Sequence, residues 1–183
     1  NFSLQKRALA YVDAIITDLP YGQTACAWDT VIPFAPMWAA VKHVLKPRGV
    51  FVTTASQPFT SALVMSNTAW VKYCWVWEKT IAANFMNTAR QPRKLNEDIC
   101  VFSKNGHAYN PQLETGKAYS DKPRPRSADV YRKSASVKMK AAIDNDGTRQ
   151  PSSIQRFANP NNGGQHPTQK PVALYAYLVR TYT

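Results

Sequence analysis

Ala14-Ile15-Ile16-Thr17-Asp18-Leu19-Pro20-Tyr21-Gly22 is the stretch on which the fold of this chain turns. Ala14 to Ile16 is an apolar run bounded by Asp13, the pattern of a short buried strand. Pro20 cannot donate to a strand ladder, and Gly22 admits a tight turn beside it. A carboxylate, a backbone carbonyl and an aromatic ring are thereby gathered at the C-terminal end of a strand, the edge of an open α/β sheet where ligands bind. Taken alone, the stretch reads as a strand closed by an ordinary turn, because short motifs recur by chance. The rest of the chain reverses that preference.

Downstream, Pro33 to Lys46 carries Trp38, Val41 and Leu45 at helical spacing, and Pro47-Arg48-Gly49 is expected to end that helix. Val50 to Ala55 is β-branched and predicts a second strand, so strand, helix and strand imply a right-handed crossover and a parallel pair. Pro58 suits the first turn of a helix to Asn67. Val71 to Trp77 and Asp98 to Phe102 predict two further strands. The loop between them is long enough to make them antiparallel neighbours. Gln23 to Val31, with Trp28 and Asp29, reads as a lid or equally as a plain surface loop.

From Lys104 to Gly164, Pro, Ser, Asn, Lys and Arg dominate and hydrophobic periodicity nearly vanishes. Arg124, Arg126, Arg132 and Lys133 are candidate phosphate contacts, with Tyr119, Tyr131 and Phe157 available for bases; a basic surface loop has the same composition. A last helix starts at Pro171, with Val172, Leu174, Tyr175 and Leu178 as its apolar face. The chain divides into a core at 1–103, an insertion at 104–164 and a returning helix at 165–183.

The 183 residues suffice for one sizeable core. Lys and Arg number 23 against 11 Asp and Glu, a net charge of +12 that suits a polyanionic partner and also a ribosomal or merely soluble basic protein. Cys26, Cys74 and Cys100 are widely spaced and far in sequence from His43, His107 and His166, which reads as reduced thiols with no metal role. No signal peptide or long apolar span is visible, so the expectation is a soluble cytoplasmic protein without a membrane partner.

Two motifs now converge. Asp18-Leu19-Pro20-Tyr21 resembles the [DNS]-P-P-[YFW] tetrapeptide, and His166-Pro167-Thr168-Gln169-Lys170-Pro171 the H-P-T-[QE]-K-P segment, of the β-group of S-adenosylmethionine-dependent DNA amino-methyltransferases. Trp28-Asp29 and Ser56 to Thr60 resemble phage-encoded relatives, in keeping with a phage or prokaryotic source and a restriction-modification setting. The resemblance implies a Rossmann-like α/β fold, a mixed, mostly parallel sheet with helices on both faces. It also implies S-adenosylmethionine as cofactor and double-stranded DNA as partner. The order of catalytic motif, recognition insertion and second motif runs through nearly the whole chain.

By that resemblance, Asp18, Leu19, Pro20 and Tyr21 are catalytic, and Asp18, His166, Thr168, Gln169, Lys170 and Pro171 meet the cofactor. Tyr21, Phe85, Arg124, Arg126, Arg132 and Lys133 meet the DNA. An exocyclic amine is a poor nucleophile because its lone pair is delocalised into the ring. Two acceptors, the Asp18 carboxylate and the Leu19 carbonyl, localise that pair and stabilise the developing positive charge. Methyl transfer is then an in-line displacement in which positioning matters more than a strong base. The base must be flipped from the duplex, with Tyr21 stacking on it and Phe85 either closing the other face or simply packing in the core. Asp18 leans towards adenine N6. The alternatives are cytosine N4 and a DNA-binding fragment without activity.

Two departures qualify the match. Leu19 replaces the usual first proline, a change a backbone carbonyl survives. The family's glycine-rich cofactor loop is expected after the last helix, and the sequence ends at Thr183, as a fragment does. The recognised DNA sequence, the oligomeric state and any partner nuclease are not written in these residues.

Overall fold

The computed structural model describes residues 12–125, 139–140, 142–160 and 168–183. In chain order the elements are β1 (Val12–Asp18), α1 (Phe34–Val44), β2 (Leu45–Ala55), α2 (Phe59–Ser66), β3 (Val71–Lys79), β4 (Asn96–Phe102), the short strands β5 (Glu114–Thr115), β6 (Tyr119–Asp121), β7 (Arg124–Pro125), β8 (Met139–Lys140), β9 (Ile143–Asn145) and β10 (Thr148–Arg149), then β11 (Ile154–Phe157) and α3 (Val172–Tyr182). One compact unit holds α1, α2, α3 and a five-stranded sheet in the order β1-β2-β4-β3-β11. The other, Pro111–Pro151, is built from antiparallel ribbons pairing β5 with β10, β6 with β9 and β7 with β8.

β1 runs parallel to β2 and β11 parallel to β3, while β4 is antiparallel to both β2 and β3. β4 therefore opposes the other four strands. The expected parallel pair and the expected antiparallel pair are both present, in a mixed α/β sheet.

Side chains alternate across a strand, so each strand serves two cores. Phe51, Ala55, Cys100 and Phe102 face α1 and α2, where Trp38 packs at 5.3 Å from Phe51 and 5.0 Å from Phe102, ring to ring. Val50, Val52, Ile99, Val101, Trp75 and Trp77 face the other way, against Leu174, Tyr177, Leu178 and Tyr182 of α3. Helices thus cover both faces. α1 forms because Met37, Trp38 and Val41 give one buried stripe, and Lys42 places positive charge near its carbonyl end.

Three expectations are corrected. Pro47-Arg48-Gly49 does not separate helix from strand: β2 already begins at Leu45 and absorbs the three residues as an irregularity, with Val12 opposite Leu45 and Ala14 opposite Val50. The stretch 104–164, read as insertion throughout, contains β11, a strand of the main sheet; four residues are too few to show periodicity. Val172 is not on the apolar face of α3 but 75% exposed, since the buried stripe runs through Leu174, Tyr177, Leu178, Thr181 and Tyr182.

Candidate active site

Alternation along the strands also decides which side chains meet at the sheet edge. Ala14 and Ile16 of β1 face α3, and the next residue in that series is Asp18. Val50 and Val52 of β2 lead in the same way to Thr54, which lies opposite Asp18 in register. Trp75 and Trp77 of β3 lead to Lys79. β4 runs backwards, so its series is read in reverse: Val101, Ile99, then Glu97. Four adjacent strands therefore end, on the α3 face and at one edge, in Asp18, Thr54, Glu97 and Lys79. Lys170, just before α3, reaches the same place.

These groups form one network. Thr54 Oγ1 donates to Asp18 Oδ1 at 2.5 Å, and the Tyr21 hydroxyl lies 2.9 Å from Asp18 Oδ1 and 3.3 Å from Glu97 Oε2. Lys170 Nζ sits 3.2 Å from Asp18 Oδ2 and 3.3 Å from Glu97 Oε2. Lys79 makes a buried ion pair with Glu97 Oε1, and its ammonium lies 4.9 Å from the centre of the Trp77 ring. Two carboxylates thus balance two ammonium groups. Burial, then the charges of Glu97 and Asp18, push the Tyr21 phenol well above its ordinary value, so its hydroxyl stays protonated. Burial does the same to Tyr175, whose hydroxyl is 3.5 Å from Thr54 Oγ1.

The turn after β1 is fixed by a carboxylate. Asp29 accepts backbone N–H bonds from Gly22, Gln23 and Thr24 at 2.8, 2.8 and 2.7 Å. Gly22 has φ of 68°, and a Cβ there would meet Val31 Cγ2 at 2.9 Å, so the tight turn expected at this glycine is real. Gln23 Nε2 donates to the carbonyls of Ser56 and Gln57 at 3.2 and 2.8 Å, tying the loop to the end of β2. The segment read as a lid is therefore stapled at its base.

Asp18, Tyr21, Glu97, Lys170 and Tyr175 line a cleft of about 1520 Å³. That exceeds the roughly 300–1,000 Å³ of a typical small-molecule site. Leu19, Pro20, Thr168 and Gln169 line it as well, as does Trp28, 51% exposed. Pro171 is buried as the N-cap of α3, a helix that begins without a side-chain cap. His166, Arg126, Arg132 and Lys133 lie outside the described residues, as do the side chains of Phe85 and Arg124.

Glu97 and Lys79 were not among the sequence candidates. Glu97 is 76 residues from Tyr21, and only the antiparallel direction of β4 brings the start of a strand to the edge where the others finish. A usable signal existed: Asn96-Glu97-Asp98 sets two carboxylates directly against a buried apolar run. Asp98 is spent on structure, accepting from Thr60 Oγ1 at 2.7 Å.

Among solved structures, the chain is similar to the M1.HpyAVI-SAM complex at 20% identity and a TM-score of 0.54, over 94% of this chain and 68% of that one, which establishes the shared fold. M1.HpyAVI in a second structure aligns at 24% identity and a TM-score of 0.38, over 55% of this chain and 49% of that one. No curated protein matches the chain. The family N6_N4_Mtase, described as DNA methylase, matches residues 12–183, from the first residue of β1 through α3. The chain belongs to the N6_N4_Mtase family of DNA methylases.

Proposed function

We propose that this chain forms the catalytic part of a DNA methyltransferase acting on the N6 amino group of adenine, with S-adenosylmethionine as methyl donor. One observation carries the proposal: the Asp18 carboxylate stands at the rim of the cleft with its side chain 34% exposed, oriented by Thr54 and the Tyr21 hydroxyl. A carboxylate held by two donors on one oxygen keeps the other directed at an incoming amine. Asp18 takes one amine hydrogen through Oδ2, and the Leu19 carbonyl, next in the chain, takes the second. Withdrawing both hydrogens towards acceptors localises the nitrogen lone pair and stabilises charge as it develops.

S-adenosylmethionine supplies an electrophilic methyl group on its sulfonium centre. The described residues offer its amino-acid end one fitting feature: the uncapped start of α3 presents backbone N–H groups to a carboxylate, with Lys170, paired to Asp18 and Glu97, beside it. Thr168, Gln169 and Pro171 complete that end of the cleft, and His166 belongs to the same motif. The reading includes flipping of the target base, since chemistry on a base's amine requires taking that base out of the stack. Tyr21 then presents its ring to the base; Phe59 stacks on that ring at 5.3 Å and stiffens it. Duplex phosphates are assigned to Arg124, Arg126, Arg132 and Lys133, and Phe85 to the second face of the base. Cytosine N4 presents the same amine chemistry and is the second reading.

The test is methyl transfer from labelled S-adenosylmethionine to duplex DNA by the full gene product, followed by nucleoside mass spectrometry. N6-methyladenine is the expected product, and N4-methylcytosine selects the second reading. Asp18→Ala should abolish transfer while retaining DNA binding; equal turnover in the two proteins removes Asp18 from its role.

A further inference from the structure

Lys170 stands where the proposed reaction places the target. Its ammonium lies 3.2 Å from Asp18 Oδ2 and 5.2 Å from the centre of the Tyr21 ring. Those are the acceptor assigned to the amine and the face assigned to its base. A lysine ammonium and an exocyclic amine offer a carboxylate the same thing, nitrogen-bound hydrogens directed at oxygen. Only one of them can hold this position at a time.

The network supplies a second berth. Lys170 Nζ is also 3.3 Å from Glu97 Oε2. Glu97 differs from Asp18 in burial: its side chain is 9% exposed and paired with Lys79, which is 8% exposed, whereas that of Asp18 is 34% exposed. Glu97 is the fixed interior anion and Asp18 the one a substrate reaches. An ammonium evicted from Asp18 with no other anion at hand loses its charge-assisted bond inside a partly desolvated cleft. With Glu97 already beside it, the ammonium gives up one carboxylate and keeps the other.

We infer that Lys170 is a placeholder for the target amine, occupying the Asp18 subsite until a base arrives and then withdrawing onto Glu97, which acts as a positioning residue fixed by Lys79. The inference rests on the proposed function and adds a control on base insertion to it. Its consequence runs against ordinary electrostatics. Removing a cation from a DNA-binding protein weakens binding, yet removing this one eases insertion of the base.

The experiment uses the full gene product without cofactor and a duplex of its methylated sequence carrying 2-aminopurine next to the target adenine, a probe that brightens when its neighbour leaves the stack and that keeps the target's N6 amine in place. Lys170→Met should shift the extrusion equilibrium towards the bright state by about 10-fold, the scale of one charge-assisted bond no longer competing. Glu97→Gln leaves Lys170 on Asp18 alone, so the signal should fall and kcat drop by roughly 10- to 100-fold, with duplex affinity unchanged. Should Glu97→Gln fold poorly, Lys79→Met/Glu97→Gln removes the buried pair together and should give the same loss of kcat. A Lys170→Met signal equal to or below wild type, or wild-type kcat in the Glu97 variants, overturns the inference. The two readings fail separately. If Asp18→Ala still transfers methyl groups, the proposed function falls; if Asp18→Ala is dead and Lys170→Met shows no rise, only the placeholder does.

Discussion

Asp29 shows how one side chain shapes the turn that follows Tyr21. Its burial opposes ionisation, but hydrogen bonds from Gly22, Thr24 and Gln23 outweigh that and hold the carboxyl down at about 2, from an ordinary 3.8. A carboxyl lowered on folding contributes stability that is fully present above its unfolded value and is lost as pH falls through the folded one. In urea unfolding, Asp29→Ala should cost about 1–3 kcal/mol at pH 7, since three N–H groups lose their acceptor. The gap between the two proteins should stay constant down to about pH 4 and narrow towards pH 2. A gap independent of pH over that window would mean the charge is not what clamps the loop. Asp18 was legible because it sits inside a local motif. Asp29 belongs to no such motif, and nothing in its flanking residues says that the amides of Gly22, Gln23 and Thr24 will converge on it.

The element most easily missed is β11. It joins the sheet through β3, with Gln155 opposite Trp77 and Phe157 opposite Lys79, and the Trp77 indole N–H donates to the Phe157 carbonyl at 2.9 Å. Phe157 also meets the ring of Tyr177 in α3 at 5.6 Å. One strand edge is thus tied to the face that carries Lys79. Trp77→Phe keeps an aromatic ring in the core and removes that donor, so it should destabilise the protein by roughly 1–2 kcal/mol. It should also speed amide exchange at Ile154–Phe157 more than in β2. Uniform change across the sheet would show that β11 is not a separately tethered edge. At the other extreme, α1 was plain from its pattern, because a helix stripe repeats within its own sequence. Trp38 anchors it to two strands, and Trp38→Ala should cost about 3–5 kcal/mol by thermal or urea unfolding.

At the scale of the whole molecule, the net charge of +12 has to be reconciled with a site whose own charges cancel. The excess lies outside that network, so the proposed function expects affinity for the DNA backbone and methyl transfer to respond to different substitutions. Replacing Arg124, Arg126, Arg132 and Lys133 with alanine should weaken duplex binding at about 0.1 M salt and flatten the plot of log affinity against log salt, by roughly 0.9 for each phosphate no longer neutralised. The rate of transfer from saturated complexes should change little. An unchanged salt slope would assign the DNA backbone to other basic residues. No helix among the described residues is long and apolar enough to cross a membrane.

The sequence by itself determined the parts whose information is local: the βαβ start, the antiparallel third and fourth strands, and the motif placing Asp18 beside Tyr21. Periodicity tells which face of a strand is buried, and turn residues tell where it stops. Neither tells the order of the whole sheet, in which β4 lies between β2 and β3 and runs against both and β11 joins beyond β3. Strand order and direction were decided by packing two aromatic-rich faces against helices on both sides. Only that arrangement carries Glu97 and Lys79 to Asp18 and Lys170, because a carboxylate at the start of one strand meets the ends of three others solely when that strand runs against them.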